Sequence, residues 1–172
     1  MIVSALKKTK LPIITNKVAK IKISKDIDDY CKQNKIDRKL FNQPVDIVPD
    51  ADCVYMFVDC YSFNQPVIIP YDIKNCIGMF KSCFKLNSKI IIPDSVEDCG
   101  NMFECCLDYN KSTKLPKNLI NCFNMFELCK SFNKMLNIPE SVEYCSDMLI
   151  GCDNFKSKII HNLSYEDYEA LF

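Results

Sequence analysis

Residues 79–106 have the sequence MFKSCFKLNSKIIIPDSVEDCGNMFECC, which contains one complete repeat and the beginning of the next. Met79 returns as Met102 and Cys83 returns as Cys106, so the step between repeats is 23 residues. A fixed period of about 20–50 residues is typical of proteins whose units stack on one another. The stretch therefore predicts a repeat protein.

The same period extends over residues 41–160 in several columns of the sequence. Each column repeats one residue type, or one chemical class, at every turn. The columns are Phe63, Leu86, Tyr109, Phe132 and Phe155; Asn64, Asn87, Asn110 and Asn133; Pro70, Pro93, Pro116 and Pro139; Cys53, Cys76, Cys99, Cys122 and Cys145; Met56, Met79, Met102, Met125 and Met148; Phe57, Phe80, Phe103 and Phe126; Cys60, Cys83, Cys106, Cys129 and Cys152. This pattern predicts an α/β repeat fold, a solenoid of about five 23-residue turns with parallel strands.

One short strand is expected in each turn, just before the proline. Because side chains alternate along a strand, one row should point inward and the residue between should face solvent. The inward rows are Ile69, Ile92, Leu115 and Ile138, and Val67, Ile90, Thr113 and Leu136. The outward row is Ile68, Ile91, Lys114, Asn137 and Ile160, beside Pro66, Lys89, Ser112, Met135 and Lys158. A register shifted by one residue would instead bury the outward row.

The two cysteine columns are expected to fill a narrow core as reduced thiols, because buried cysteine behaves as a small hydrophobic residue. Cys105 lies outside both columns and is the thiol that we expect to be exposed. The asparagine column is expected to hydrogen-bond backbone groups of adjacent turns where the chain turns a corner.

The two ends depart from the repeat. Residues 1–40 are interpreted as a basic N-terminal cap, with a strand ending at Ile23 and a short helix from Ser24 to about Lys35. Residues 41–163 form the predicted solenoid. Residues 164–172 are predicted to be a C-terminal capping helix, because Ser164 is followed three residues later by Asp167, close to a capping box. The whole chain is expected to be one structural domain.

Charge is divided between the head and the body. Residues 1–40 carry 11 lysine or arginine and 4 acidic residues, whereas residues 41–172 carry 11 and 18. A basic head can be an ordinary solvated cap or a surface that faces phosphates or an acidic protein. No segment has the roughly 18 consecutive apolar residues of a membrane span. The N-terminus also lacks the order of charges and apolar residues found in a secretory signal, so a cytoplasmic location is expected.

The fragments IPDSVEDC, NMFECC, LPKNLINC, NMFELCKSFN and IPESVEYC resemble the bacterial BspA-type leucine-rich repeat. MFVDCYSFNQPV is also similar to the related MFxxCxSFNQ repeats of mycoplasma and phage-type proteins. The resemblance covers residues 41–160 and implies a curved leucine-rich-repeat solenoid that binds proteins, often outside the cell. It implies no catalytic residues. The chain differs from that pattern in its column of cysteines, where the family usually has isoleucine, and in its lack of an export signal.

Catalytic and metal chemistry find little support in the sequence. The single histidine, His161, lies in the last turn without a nucleophile beside it. The seven-residue step from Cys76 to Cys83 follows from the repeat and is not the close spacing of a zinc site. Three glycines do not make a phosphate-binding loop. We therefore expect no enzyme activity, no cofactor and no metal.

The function predicted is protein binding inside the cell, through Ile68, Ile91, Lys89, Lys114, Met135 and Asn137 on the outward strand side. A second candidate row is Tyr61, Phe84 and Leu107, which could equally pack under the next loop. A phage- or mobile-element-encoded inhibitor that occludes a host defence protein would fit this function.

Two alternatives are nucleic-acid binding by the head, through Lys7, Lys8, Lys10, Lys17, Lys20 and Lys22, and a surface adhesin. The acidic body disfavours nucleic acid. A homodimer through one end of the solenoid is also an open prediction.

Overall fold

The computed structural model describes residues 19–172. Its strands are β1 (Ile21–Ile23), β2 (Val45–Ile47), β3 (Val67–Ile68), β4 (Ile90–Ile91), β5 (Leu136–Asn137) and β6 (Ile159–Ile160). Its helices are α1 (Asp28–Asn34), a 3₁₀ turn (Arg38–Leu40) and α2 (Tyr165–Glu169). The strands form three parallel pairs, β1–β2, β3–β4 and β5–β6. In the latter two pairs the partners are 23 residues apart, as Val67 and Ile90 are, so the sequence period is also the spatial one.

A second ladder joins the units on the side opposite the strands. Asn75, Asp98, Asn121 and Tyr144 form successive parallel bridges. From each unit, alternate N–H groups donate to the carbonyls of the next unit, as Phe80 N does to Met102 O at 3.0 Å. Two positions per unit within this ladder have a left-handed backbone. These positions are Tyr55, Gly78, Asn101, Asn124 and Asp147, and Asp59, Ser82, Cys105, Leu128 and Gly151.

The core is built from the predicted columns. The cysteine, methionine and phenylalanine columns are buried, and the stacked rings Phe57, Phe80, Phe103 and Phe126 follow one another at 5.5 to 5.8 Å. Offset stacking at such distances adds to the burial of apolar area. The second cysteine column also donates hydrogen bonds, since Cys106 Sγ lies 3.2 Å from Phe80 O and Cys129 Sγ lies 3.0 Å from Phe103 O. All twelve cysteines lie in the described part and are free thiols, and Cys105 alone among them is not buried.

The asparagine column forms the predicted ladder. Asn64 Oδ1 accepts the backbone N–H of Asn87 at 2.9 Å, and Asn87 Oδ1 accepts that of Asn110 at 3.1 Å. The ladder begins at Asn42 and ends at the N–H of Lys156. Each amide therefore satisfies a backbone donor at the corner of the next unit, as expected from the sequence.

The head covers the first unit. Strand β1 pairs with β2, Ile27 N donates to Met56 O at 3.1 Å, and Arg38 Nε donates to Val58 O at 2.5 Å. Arg38 is the single arginine of the chain and is also paired with Asp26 at 2.9 Å. Elsewhere in the stack such a carbonyl accepts a hydrogen bond from an N–H group of the preceding unit. The Arg38 guanidinium donates this bond to Val58 O instead.

The predicted helix start at Ser24 is wrong. Helix α1 begins at Asp28, after the N-cap residue Ile27, which makes no side-chain cap hydrogen bond. The reason lies in the preceding residues, because Ser24 O accepts the N–H of Asp52 at 2.9 Å and so still belongs to the segment that runs along the first unit.

The tail covers the last unit. Ser164 caps α2 through the N–H of Asp167 at 3.1 Å, as the sequence predicts. Asp147 N and Leu149 N then donate to Ala170 O and Leu171 O, both at 2.7 Å. These two carbonyls therefore accept the hydrogen bonds that the carbonyls of a further unit would accept.

Candidate binding surface

We use "strand face" for the two outward rows, Ile68, Ile91, Lys114, Asn137 and Ile160, and Pro66, Lys89, Ser112, Met135 and Lys158. The predicted register is confirmed, because these residues are exposed and their strand neighbours lie inside. Ile68 is 65% exposed, Met135 58% and Ile91 42%. Isolated exposed apolar residues are common, but a contiguous row of them is typical of interaction sites.

The strand ladder is interrupted in the middle of this face. Val67 N and Ile69 N donate to Lys89 O and Ile91 O at 3.1 and 3.0 Å, and β5 pairs with β6 in the same way. Within residues 19–172, no such bonds join β4 to residues 112–115, or residues 112–115 to β5. The expectation of one strand in every turn is therefore wrong for this unit. The ladder is also open between β2 and β3.

A buried polar pair lies beneath the interruption. Tyr109 takes the position of Leu86 and Phe132 in its column, and its hydroxyl lies 2.7 Å from Thr113 Oγ1. Thr113 also donates to Lys111 O at 3.3 Å. Burial raises the pKa of Tyr109, and the hydrogen bond between the Tyr109 and Thr113 hydroxyls partly offsets this. The threonine thus replaces an inward aliphatic residue in order to satisfy the one hydroxyl in the aromatic column.

Two grooves lie on either side of residues 112–115. The Ile91 groove, of about 510 Å³, lies between the segment 89–94 and the side chains of Ser112 and Lys114. The Met135 groove, of about 680 Å³, lies between residues 112–115 and the segment from Met135 to Ser141. The two grooves share Ser112 and Lys114 in their linings and are therefore adjacent, with residues 112–115 between them.

Lys89, Lys114 and Lys117 line these two grooves. Lys114 Nζ lies 3.0 Å from Asp94 Oδ1, and Lys117 N donates to the same carboxylate at 3.2 Å. The hydrogen bond from Lys114, and then that from Lys117, lower the pKa of Asp94. Lys89 and Lys158 are exposed, and in the described part of the chain neither has an ion-pair partner.

The sequence did not single out Lys117, Asp94, Tyr71 or Glu140 as groove residues. A signal was present, since these four residues form a 23-residue column immediately after the prolines. Their exposure follows from the turn that the proline begins.

The second predicted row lies elsewhere and is half-buried. The rings of Tyr61 and Phe84 stack with centroids 4.4 Å apart, and Lys39 Nζ lies 5.4 Å from the Tyr61 centroid. Leu107, the third member, is also half-buried. The row therefore packs along its own side of the stack and does not join the strand face.

The head lysines of the nucleic-acid hypothesis are only partly described. Lys7, Lys8, Lys10 and Lys17 lie outside the described residues. Lys20 and Lys22 are exposed, and Lys22 is on β1.

In the described residues, neither metal-ligating side chains nor the histidine nor the thiols form a reactive site. Over residues 19–172, no group of three His, Cys, Asp or Glu side chains is placed to hold a metal ion. His161 Nδ1 accepts the N–H of Leu163 at 3.1 Å, and its ring stacks on Tyr168 at 4.6 Å, so its contacts are structural. Burial raises the pKa of Cys60 and Cys152 to about 12, which keeps these thiols protonated, whereas a hydrogen bond with Cys76 lowers the pKa of buried Cys53. No helix in this part of the chain is both long and apolar enough to cross a bilayer.

The described residues thus form stacked repeats with an exposed strand face. The chain belongs to the family described as Mycoplasma protein of unknown function, DUF285, whose model matches residues 31–115 and 51–163. The predicted similarity to mycoplasma-type repeats is confirmed, whereas the relation to the BspA leucine-rich repeat stays a prediction. Searches of curated proteins and of solved structures gave no significant match.

Proposed function

We propose that this protein is a non-enzymatic, protein-binding solenoid of the leucine-rich-repeat type, and that the strand face is its binding surface. The observation that carries the proposal is the pair of adjacent grooves on either side of residues 112–115, flanked by exposed Ile91 and Met135. A rigid stack with an apolar, grooved face fits recognition of another protein better than it fits catalysis.

Action inside the cell is part of the proposal. Eleven of the twelve thiols are buried and none is paired, an arrangement that suits a reducing compartment. Titration of thiols after unfolding tests this, since twelve reactive thiols are expected and mixed disulfides would favour the adhesin alternative. Occlusion of a partner, as by an inhibitor encoded on a phage or mobile element, is the simplest action for such a surface.

A matched pair of substitutions tests the surface. Ile91→Asp changes a residue 42% exposed on the strand face, and Ile120→Asp changes one 38% exposed on the opposite ladder. The immobilised chain is incubated with host lysate, and bound proteins are quantified by mass spectrometry. We expect a stoichiometric protein that is retained by Ile120→Asp and lost by Ile91→Asp. Recovery of no stoichiometric protein, or loss with Ile120→Asp alone, would contradict the proposal.

Self-association is a separate proposal. Both ends of the second ladder, the one that runs through Asn75, Asp98, Asn121 and Tyr144, are capped. Ile27 and Arg38 cap one end, and Ala170 and Leu171 cap the other. A dimer would therefore form through the edge of β6, where Ile160 is exposed. Light scattering of the wild-type chain and of Ile160→Lys measures it, and a monomer in both samples would exclude the dimer.

A further inference from the structure

Charge is separated between the faces of the stack. The segments 64–71, 87–94, 110–117, 133–140 and 156–163 contain seven lysines and two acidic residues, Asp94 and Glu140. The rest of residues 41–172, which includes Asp46, exposed on β2, contains four lysines and sixteen acidic residues. The acidic body inferred from composition therefore presents a basic strand side, and Asp94 is already neutralised by Lys114 and Lys117.

Polar backbone groups accompany these lysines. Because the ladder is open on both sides of residues 112–115, Ile90, Ile92, Thr113 and Leu115 make no backbone hydrogen bond to the next unit in the described structure. Buried or half-buried N–H groups normally have a partner. Among the described residues, the carbonyls of Ser112, Lys114, Met135 and Asn137 accept no bond from the preceding unit either, so the grooves offer both donors and acceptors to an extended backbone, next to lysines and exposed aliphatic side chains.

We propose that the strand face binds an acidic, extended polypeptide segment of the partner, with aliphatic side chains between its carboxylates. The carboxylates would lie against Lys89, Lys114 and Lys117, and the aliphatic side chains against Ile91 and Met135. Five rows at the spacing of paired strands, about 4.8 Å, would span about 19 Å, and the open ladder makes this a minimum, so an extended segment of at least about six residues would cover the face. This inference rests on the proposed function and names the chemistry of the partner.

A nucleic acid is the other polyanion that could meet these lysines. Single-stranded nucleic acid is held largely by aromatic side chains on which the bases stack. The strand face offers Ile68, Ile91, Met135 and Ile160, and Tyr71 is the one aromatic residue in the linings of its two grooves. The aliphatic surface therefore favours a polypeptide.

Fluorescence anisotropy with labelled peptides of about eight residues tests the inference, the length being set by the span of the face. Three peptides alternate valine with Glu, with Gln or with Lys, and the fourth probe is an oligothymidylate of similar length. We expect saturable binding of the Glu peptide, at least tenfold tighter than that of the Gln peptide, weakened by added salt and undetectable for the Lys peptide.

Charge reversal locates the site. The double variant Lys89→Glu/Lys114→Glu should weaken binding of the Glu peptide at least tenfold, whereas Lys130→Glu, an exposed lysine outside the strand segments, should leave it unchanged. Circular dichroism confirms that each variant is folded. A preference for the Gln or Lys peptide would overturn the acidic partner and leave the binding face intact. Tighter binding of oligothymidylate would overturn the choice of polypeptide. Failure of all probes, with a partner still captured through Ile91, would show that the segment is not acidic and extended.

Discussion

The buried pair Tyr109–Thr113 allows a quantitative test of how the middle unit is built. Thr113→Val keeps the side-chain shape but removes the only polar partner of the Tyr109 hydroxyl, which is fully buried. An unsatisfied buried hydroxyl costs about 1–3 kcal/mol. Tyr109→Phe leaves Thr113 its bond to Lys111 O at 3.3 Å, so that variant should lose only about 0.5–1.5 kcal/mol.

The double variant Tyr109→Phe/Thr113→Val removes both polar groups and restores the apolar pair that Leu86 and Ile90 form in the preceding unit. It should be close to wild type in stability, because replacing both partners by apolar groups of the same shape is nearly neutral. The coupling energy between the two positions should therefore be close to the sum of the two single losses, about 1.5–4.5 kcal/mol.

Urea unfolding followed by circular dichroism measures these free energies for the wild type, both single variants and the double variant. Thr113→Ser is the control, since it keeps the hydroxyl and loses only a methyl group. Equal m-values are required before midpoints are compared. A double variant whose loss equals the sum of the single losses would refute the pairing.

Three further predictions concern the units around this pair. Asn110→Ala removes the acceptor of the Asn133 N–H and should cost about 1 kcal/mol in urea unfolding, whereas Asn118→Ala, exposed and outside the ladder, should cost almost nothing. Gly78→Ala should destabilise by more than about 1 kcal/mol, because φ is +57° there and the added Cβ would overlap the Tyr55 ring; a neutral result in thermal unfolding would contradict this reading. Cys105 should be the first thiol alkylated in the folded protein near pH 8, since it is the one cysteine that is not buried; mass spectrometry that finds a core cysteine labelled first would disprove it.

The sequence was informative wherever the same side chain performs the same task in every unit. The asparagine ladder, the buried cysteine, methionine and phenylalanine columns and the alternation around Ile68 and Ile91 all follow from period and polarity. A register error of one residue would have placed Val67, Ile69 and their equivalents in solvent, so the core itself selects the register.

The left-handed positions were not predictable in the same way. Gly78, Asn101 and Asp147 are residues that commonly adopt positive φ, but Tyr55 in the same column and Leu128 in the second column also do so, with φ of 50° and 58°. Their conformation is imposed by the ladder bonds on either side, such as Leu128 N to Ile150 O at 2.7 Å. Local preference is overridden here by contacts with the next unit, which a single stretch of sequence does not display.

Function in such a stack has to come from positions where one unit departs from the others. Tyr109 requires Thr113, and the unit that holds this pair is the one whose strand bonds are missing on both sides. The Ile91 and Met135 grooves both open at that unit, and Lys114 and Lys117 lie where β4 has Ile91 and the turn after it has Asp94. A fully regular repeat would present a closed ladder with no preferred point of contact, whereas this exception gives the face a centre with its own shape and charge.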